Sequence, residues 1–359
     1  MSFITNIRSV AKYESKILVR SWFFRIFTLL AVVFLGFFNF AMMLMEDNFG
    51  LWFAKSVSSN IPYLNLLLLN TGQAVVAVFL SSEFLKRDKK LDTSEVFYVR
   101  PLSNAEYVVG KIWGNLRVFL LLNLLVLAIV LAFNFMASGI AVDLPAYGVY
   151  FLLISIPTLI FIIGLSIFLM LLLRNQALTF ILLLGYIGLT LFYIQDKFYY
   201  LFDYMVYNLP LFKSTIVGFS NLELILNHRA IYFFAGLGFI FFTIFLFKRL
   251  PNARRSHYPW LFLSLCMFLL AGTAGFRHVR SILREGEVRA LYISINNKYV
   301  HEPKMAIDRY DISVEQEPET IRSVVGMKGT ALAASEVFTF CLNPGLRVEE
   351  VKEGEKPLD

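Results

Sequence analysis

Residues 81–117 read SSEFLKRDKKLDTSEVFYVRPLSNAEYVVGKIWGNLR, and this stretch decides the fold. It is polar, carries charges of both signs, and lies between two hydrophobic stretches that are each long enough to cross a bilayer. A segment with this many charges has to lie in water between two membrane spans. The sequence therefore predicts a protein that crosses the membrane several times. Its main cytosolic surface would be the loop after the second span.

The composition supports this class. Hydrophobic residues make up 58% of the chain and charged residues 16%, against about 45–50% and about 25% in soluble domains. The excess is concentrated in runs, as in integral membrane proteins. The formal net charge is +7, but the basic residues lie at the ends of the runs, where they set orientation and attract lipid headgroups. We therefore expect the lipid bilayer as a partner, and no nucleic acid.

Seven apolar runs approach or exceed the length of about 20 residues that a membrane-spanning helix needs. The fold class predicted is an all-α polytopic membrane bundle of about seven transmembrane helices, followed by a short extracytoplasmic β segment. The runs cover residues 22–45, 61–85, 113–137, 148–173, 177–194, 230–247 and 259–276.

Basic residues predict the orientation of these spans. They are frequent at the amino end, in the loop after the second span and in the turn after the sixth, and Arg174 occupies the turn after the fourth. The loops between these are poorer in lysine and arginine. A cytosolic amino terminus and an extracytoplasmic carboxyl terminus follow.

Two further segments have membrane character. Residues 1–21 alternate apolar and basic side chains and predict an amphipathic interfacial helix. Residues 195–229 form a long outer loop rich in aromatic residues, which favour the membrane–water interface. We expect this loop to contain short helices that dip into the outer leaflet.

The carboxyl-terminal part differs in pattern. Residues 277–306 are a polar connector, and residues 307–359 alternate apolar and polar side chains as strands do. A second strand is predicted at 337–342, with a turn at 343–345. The chain stops directly after a strand, so we expect these residues to be the start of a β domain that continues further.

Polar residues within the spans have two possible roles. Asn70 and Gln73 are three residues apart and share a helix face. They would line a substrate path or make hydrogen bonds between helices, which is the commoner role in bundles. Pro157 should kink its span, and neighbouring groups should satisfy the carbonyl that the proline leaves free.

Catalytic motifs are missing from the sequence. The chain contains no GxxxxGK[ST] phosphate loop and no HExxH zinc motif. Its four histidines, His228, His257, His278 and His301, are scattered over different loops and suggest no metal site. We therefore expect no catalytic residue, no bound cofactor or metal and no enzyme activity in this chain.

The order of these features resembles the membrane subunit of an ABC transporter of the type 2 exporter class. The resemblance covers about residues 1–250, and its local motif lies in the loop after the second span. The residues that carry it are Ser82-Glu83, Arg87, Leu91-Asp92, Arg100-Pro101-Leu102-Ser103 and Tyr107-Val108-Val109-Gly110-Lys111.

This resemblance implies a permease domain at residues 22–276, in the bacterial inner (plasma) membrane, that pairs with a separate ATPase subunit. The ATPase would bind ATP and Mg, and the permease would form a homodimer or a heterodimer. The loop at 86–112 would hold a coupling helix, and Pro101 would aim the next helix, 104–111, back toward the membrane. The candidate coupling residues are Glu83, Arg87, Asp88, Arg100, Pro101 and Lys111.

The added seventh span and β segment depart from the six-span pattern of that class. Residues 307–346 resemble the opening β domain of zinc aminopeptidases, and bacterial fusions of such a permease to an aminopeptidase-like domain fit this order. The alternative function is therefore a membrane anchor for such an enzyme, with its catalytic part beyond residue 359. The sequence does not determine the substrate.

Overall fold

The computed structural model describes most of the chain as helix. The described residues are 3–44, 59–82, 102–136, 142–211, 213–214, 218–219, 221–247, 258–316, 320–335, 337–340, 342–343, 345–354 and 356–358.

Eight helices, α1–α8, follow one another along the described part of the chain. Two of them contain a π turn, at Phe151–Ser155 inside α5 and at Thr190–Ile194 at the end of α6. The helices are α1 Phe3–Arg20, α2 Trp22–Leu44, α3 Asn60–Ser82, α4 Asn104–Met136, α5 Leu144–Leu173, α6 Gln176–Ile194, α7 Leu222–Leu246 and α8 Tyr258–Lys298.

Helices α2 to α8 are long and apolar enough to cross a membrane, and each contains most of one predicted run. The all-α bundle expected from the sequence is confirmed, and the protein is a multi-pass membrane protein. Three helices extend furthest beyond the predicted apolar runs. Helix α4 begins at Asn104, α7 begins at Leu222 and α8 ends at Lys298, because the polar residues there continue the helix outside the apolar stretch.

The centre of the bundle is formed by α3 and α5, which are largely buried, whereas α2, α6 and α8 expose most of their apolar side chains. Helices α5 and α7 approach each other closely at two glycines. A Cβ atom on Gly236 would lie 2.7 Å from the backbone of Ile160, and one on Gly164 would lie 2.7 Å from the Gly236 carbonyl oxygen. Only glycine permits this backbone contact, which is a common way of packing membrane helices.

The segment between α6 and α7, residues 195–211, is called here the outer segment. Apart from a 3₁₀ turn at Phe198–Tyr200 it is irregular. Nevertheless Tyr204, Met205 and Val206 are fully or almost fully buried. The expectation of short helices is thus met by one short turn, and the rest is irregular backbone inserted between helices.

Residues Met1–Ser281 and Ile282–Asp359 form two compact units. In the second unit, β1 at Met305–Gln316 pairs antiparallel with β2 at Ile321–Ala331, and β3 at Val351–Glu353 pairs with β4 at Lys356–Leu358. The expected short β segment after the helices is confirmed.

One strand prediction was wrong. Residues 337–340 and 342 are not strand, and β2 lies earlier in the chain. Only four positions in the sequence separate Gln316 from Ile321, and this short separation, rather than local alternation, favours the pairing of β2 with β1. The turn at 343–345 is confirmed by the Leu346 N–H, which donates to the Asn343 carbonyl oxygen at 2.9 Å.

Candidate functional site

Most candidate coupling residues, namely Glu83, Arg87, Asp88, Arg100 and Pro101, lie outside the described residues. Lys111 is described, and it lies inside α4 rather than in a loop. Its side chain is buried and its Nζ is 3.8 Å from the Glu14 carboxylate of α1. The carboxyl-terminal part of the predicted loop is therefore helix that packs against the amino-terminal helix.

The first turn of α4 is held by a capping box. The Glu106 backbone N–H donates to Ser103 Oγ at 3.1 Å, and the Ser103 N–H donates back to Glu106 Oε2 at 2.6 Å. The other carboxylate oxygen of Glu106 accepts from Asn6 Nδ2 of α1 at 2.8 Å. The S-x-x-E spacing at 103–106 is a sequence signal for this helix start, and the helix expected from residue 104 onward is confirmed.

The same turn also contacts α7. Asn104 Nδ2 donates to the Phe247 carbonyl oxygen at 2.6 Å, directly after the last residue of α7. The rings of Tyr107 and Phe247 are stacked at 5.4 Å. The start of α4 therefore joins α1, α4 and α7 at the place where the charged loop returns to the bundle.

Helix α1 runs parallel to the first turns of α4. Gly110 faces Ile7 and Val10, and Gly114 faces Ala11 and Glu14. A Cβ on Gly114 would lie 2.9 Å from the Ala11 carbonyl oxygen, so the two backbones touch. This close contact explains why a helix rich in charge packs stably against α4.

Polar groups of the two helices pair at the far end of this contact. Ser15 Oγ donates to the Gly114 carbonyl oxygen at 2.7 Å and accepts from Arg117 Nε. Arg117 Nη2 also donates to the Ala11 carbonyl oxygen at 3.0 Å. Arg117 therefore fastens α1 to α4 one turn beyond Gly114.

Asn70 and Gln73 belong to a buried polar cluster with Asn123 of α4 and Ser155 of α5. Gln73 Nε2 donates to Asn70 Oδ1 at 2.6 Å, and Asn123 Nδ2 donates to Gln73 Oε1 at 2.9 Å. Ser155 Oγ donates to Asn123 Oδ1 at 2.8 Å, and Asn70 Nδ2 reaches Ser155 Oγ at 3.2 Å. All four residues have no exposed surface. Because every polar atom has a partner, the geometry favours the interhelical role over a substrate path.

Arg229 donates a hydrogen bond to the backbone carbonyl group that Pro157 leaves without its usual helical partner. Proline has no N–H to donate to the carbonyl four residues earlier, which belongs to Leu153. Arg229 Nε donates to that oxygen at 2.6 Å, and Arg229 Nη2 reaches the Ile154 oxygen at 3.4 Å. The expected compensation for Pro157 is confirmed, although the sequence placed Arg229 in the outer loop rather than on α7.

Arg229 also holds the outer segment. Its Nη1 donates to the Tyr204 carbonyl oxygen at 2.9 Å, and Thr158 Oγ1 donates to the same oxygen at 3.2 Å. Irregular backbone buried among membrane helices requires such partners, because no water is there to replace them.

The Asp203 carboxylate lies in the same part of the outer segment. It accepts the N–H groups of Tyr207 and Asn208 at 3.0 and 2.8 Å. Burial raises the pKa of Asp203 above its ordinary value, and these hydrogen bonds together with Arg229 act in the opposite direction. Asp203 is thus the acidic group through which the outer segment interacts with the buried guanidinium.

Two of the four histidines come together, although they are 50 residues apart in the sequence. The rings of His228 on α7 and His278 on α8 are 5.0 Å apart, and both side chains are fully buried. No group of three or more His, Cys, Asp or Glu that could hold a metal ion occurs among the described residues.

Comparison with known proteins does not identify a family. No family model matches the chain, and no curated protein matches it. The aminopeptidase-anchor alternative stays a prediction.

Proposed function

We propose that this chain is the membrane-spanning permease subunit of an ATP-driven exporter of the ABC type. The observation that carries the proposal is the triple junction at the start of α4. Asn6 of α1, Ser103 to Tyr107 of α4 and Phe247 after α7 are joined there, where the charged loop re-enters the bundle. A displacement of the loop would reach three helices at once.

The proposed mechanism has the partner ATPase bind ATP and Mg and move the loop at 86–112. Four hydrogen bonds and one ring stack hold the first turn of α4 in place. A coupling element needs such a fixed end in order to transmit motion rather than absorb it. From α4 the movement would pass to α3, which contacts α4, α2 and α6, and would tilt the first, second and fifth spans, α2, α3 and α6, in a homodimer or heterodimer of permeases. The closed polar cluster around Asn70 and Gln73 would hold α3, α4 and α5 together during this tilt.

The test reverses the charges of Arg87 and Arg100 in the full chain, as R87E/R100E. We expect the protein to insert normally, because Lys86, Lys89 and Lys90 keep the loop basic. The chain is purified in mild detergent, and Mg-ATP hydrolysis that copurifies with it is measured. Loss of desolvated charge pairs should weaken association by about 2 kcal/mol or more, or roughly 30-fold.

The matched control is R254E/R255E, which makes the same charge change in the turn after the sixth span. This variant should keep the copurifying hydrolysis. Unchanged hydrolysis in R87E/R100E would leave the loop as a basic anchor and would contradict the proposal. An equal loss in both double variants would contradict it as well, because the effect would then be on orientation.

A further inference from the structure

The buried histidine pair holds a strained turn of the outer segment. His278 Nε2 is 2.9 Å from the Tyr199 carbonyl oxygen, and His228 Nε2 is 3.0 Å from the Tyr200 carbonyl oxygen. A carbonyl oxygen can only accept, so both Nε2 atoms carry the hydrogen. In the neutral imidazoles each Nδ1 is then a bare acceptor, and neither Nδ1 has a hydrogen-bond partner in the described part of the chain.

The turn needs these hydrogen bonds because its backbone conformation is energetically unfavourable. Phe198, Tyr199 and Tyr200 have φ values of 51°, 59° and 61°. Side-chain-bearing L residues rarely adopt this region, and three in succession persist only when the surroundings fix them. The adjacent Leu201 carbonyl oxygen accepts a hydrogen bond from the Tyr232 hydroxyl of α7. Donors from α7 and α8 thus hold three consecutive carbonyl groups.

The charged groups around the pair oppose a positive charge on it. Arg229 is the next residue on α7, and the ring of the second histidine lies 5.0 Å from that of His228. Asp203 of the outer segment acts on Arg229. On α8, Arg277 beside His278 pairs with Glu223 of α7 at 3.3 Å, where both side chains are exposed. A second proton on the His228 ring would therefore be buried beside the Arg229 guanidinium, without an acceptor for its hydrogen bond.

We propose that the buried histidine pair forms a proton-operated latch, in which His228 keeps the outer segment inserted while its ring is neutral and releases it on acidification. An imidazole in water takes up its second proton at about pH 6.5. The inserted form excludes that proton, so its stability is complete above about pH 6.5 and falls as the pH drops below it. The latch does not depend on the proposed ATPase partner.

Hydrogen exchange of the full chain in lipid nanodiscs tests the latch, with rates corrected for the intrinsic effect of pH. Protection of residues 199–207 should fall from pH 7.5 to pH 5 by about 30-fold, as release coupled to the uptake of one proton requires. Peptides from α3 serve as an internal reference and should keep their protection. Equal protection of 199–207 at both pH values, or loss of protection in α3 at the same pH, would overturn the proposal.

Variants separate the titration from the hydrogen bond. Glutamine presents an N–H near the position of Nε2 but does not titrate, so H228Q/H278Q should keep the segment protected at both pH values. H228A/H278A should expose it at pH 7.5 already. H301Q changes an exposed histidine and should behave as wild type. If H228Q/H278Q is protected at pH 7.5 but retains the wild-type loss at pH 5, other groups carry the response and the latch is wrong.

Discussion

Arg229 is 2% exposed and lies inside the helical bundle, where its guanidinium donates to the carbonyl oxygens of Leu153, Ile154 and Tyr204 and to Thr158 Oγ1. A charged residue at such a position is costly unless hydrogen bonds satisfy it. Here the bonds join the interruption in α5 to the outer segment. Arg229 is therefore the residue on which both irregular stretches of the bundle depend.

Replacing Arg229 by methionine should destabilise the protein strongly. The change removes one hydrogen-bond donor from each of the Leu153 and Tyr204 carbonyl oxygens, and it removes the positive charge that interacts with Asp203. We expect the free energy of unfolding to fall by about 3 kcal/mol or more. Denaturant titration in mixed micelles measures it. R280M removes an exposed arginine of α8 and should change the same quantity by less than about 0.5 kcal/mol. Similar values for both variants would contradict the structural role of Arg229.

At the scale of a single element, the position of a helix depends on close backbone contacts and hydrogen bonds with its neighbour. The amino-terminal helix α1 owes its position to Gly110 and Gly114 of α4, since its backbone lies where their side chains would be. The bonds from Ser15 and Arg117 hold the two helices in register at that point.

Gly114→Ala should therefore displace α1 while α4 remains helical. The added methyl group would lie 2.8 Å from the Glu14 Cβ and 2.9 Å from the Ala11 carbonyl oxygen, which is backbone and cannot rotate away. We expect amide exchange in Phe3–Arg20 to accelerate by at least about tenfold, corresponding to about 1.4 kcal/mol. Gly36→Ala is the matched control, since nothing lies within 4 Å of a Cβ there. Unchanged exchange of α1 in Gly114→Ala would show that the helix is held by other contacts.

The described residues contain seven helices that are long and apolar enough to cross the membrane, and an odd number of spans would place the two ends of the chain on opposite sides. Basic residues predict that the amino end is cytosolic. Alkaline phosphatase, which is active only outside the cytosol, should therefore be active when fused after Asp359 and inactive when fused after Lys111. The reverse pattern would refute the orientation, and equal activity at both positions would refute the odd number of spans.

Local sequence determined the spans, because the free energy of placing a side chain in hydrocarbon is a property of that side chain and its neighbours in the run. For the same reason the Asn343–Gly345 turn and the need to compensate Pro157 could be predicted from a few adjacent residues. The spacing of Asn70 and Gln73 identified them as interhelical candidates, and the structure shows that Asn123 and Ser155 are their partners.

Only the tertiary structure decided which residues distant in the chain meet. Arg229 was assigned to a loop because charge ends a hydrophobic run, yet carbonyl groups of α5 and the outer segment surround it and satisfy it inside the bundle. His228 and His278 are unrelated in sequence, and they become a pair because α7 and α8 pack side by side around one turn. The course of α1 along α4 and the choice of β2 over residues 337–342 likewise depend on a partner surface. A hydrogen bond or a close backbone contact is a property of two segments, so neither segment reveals it alone.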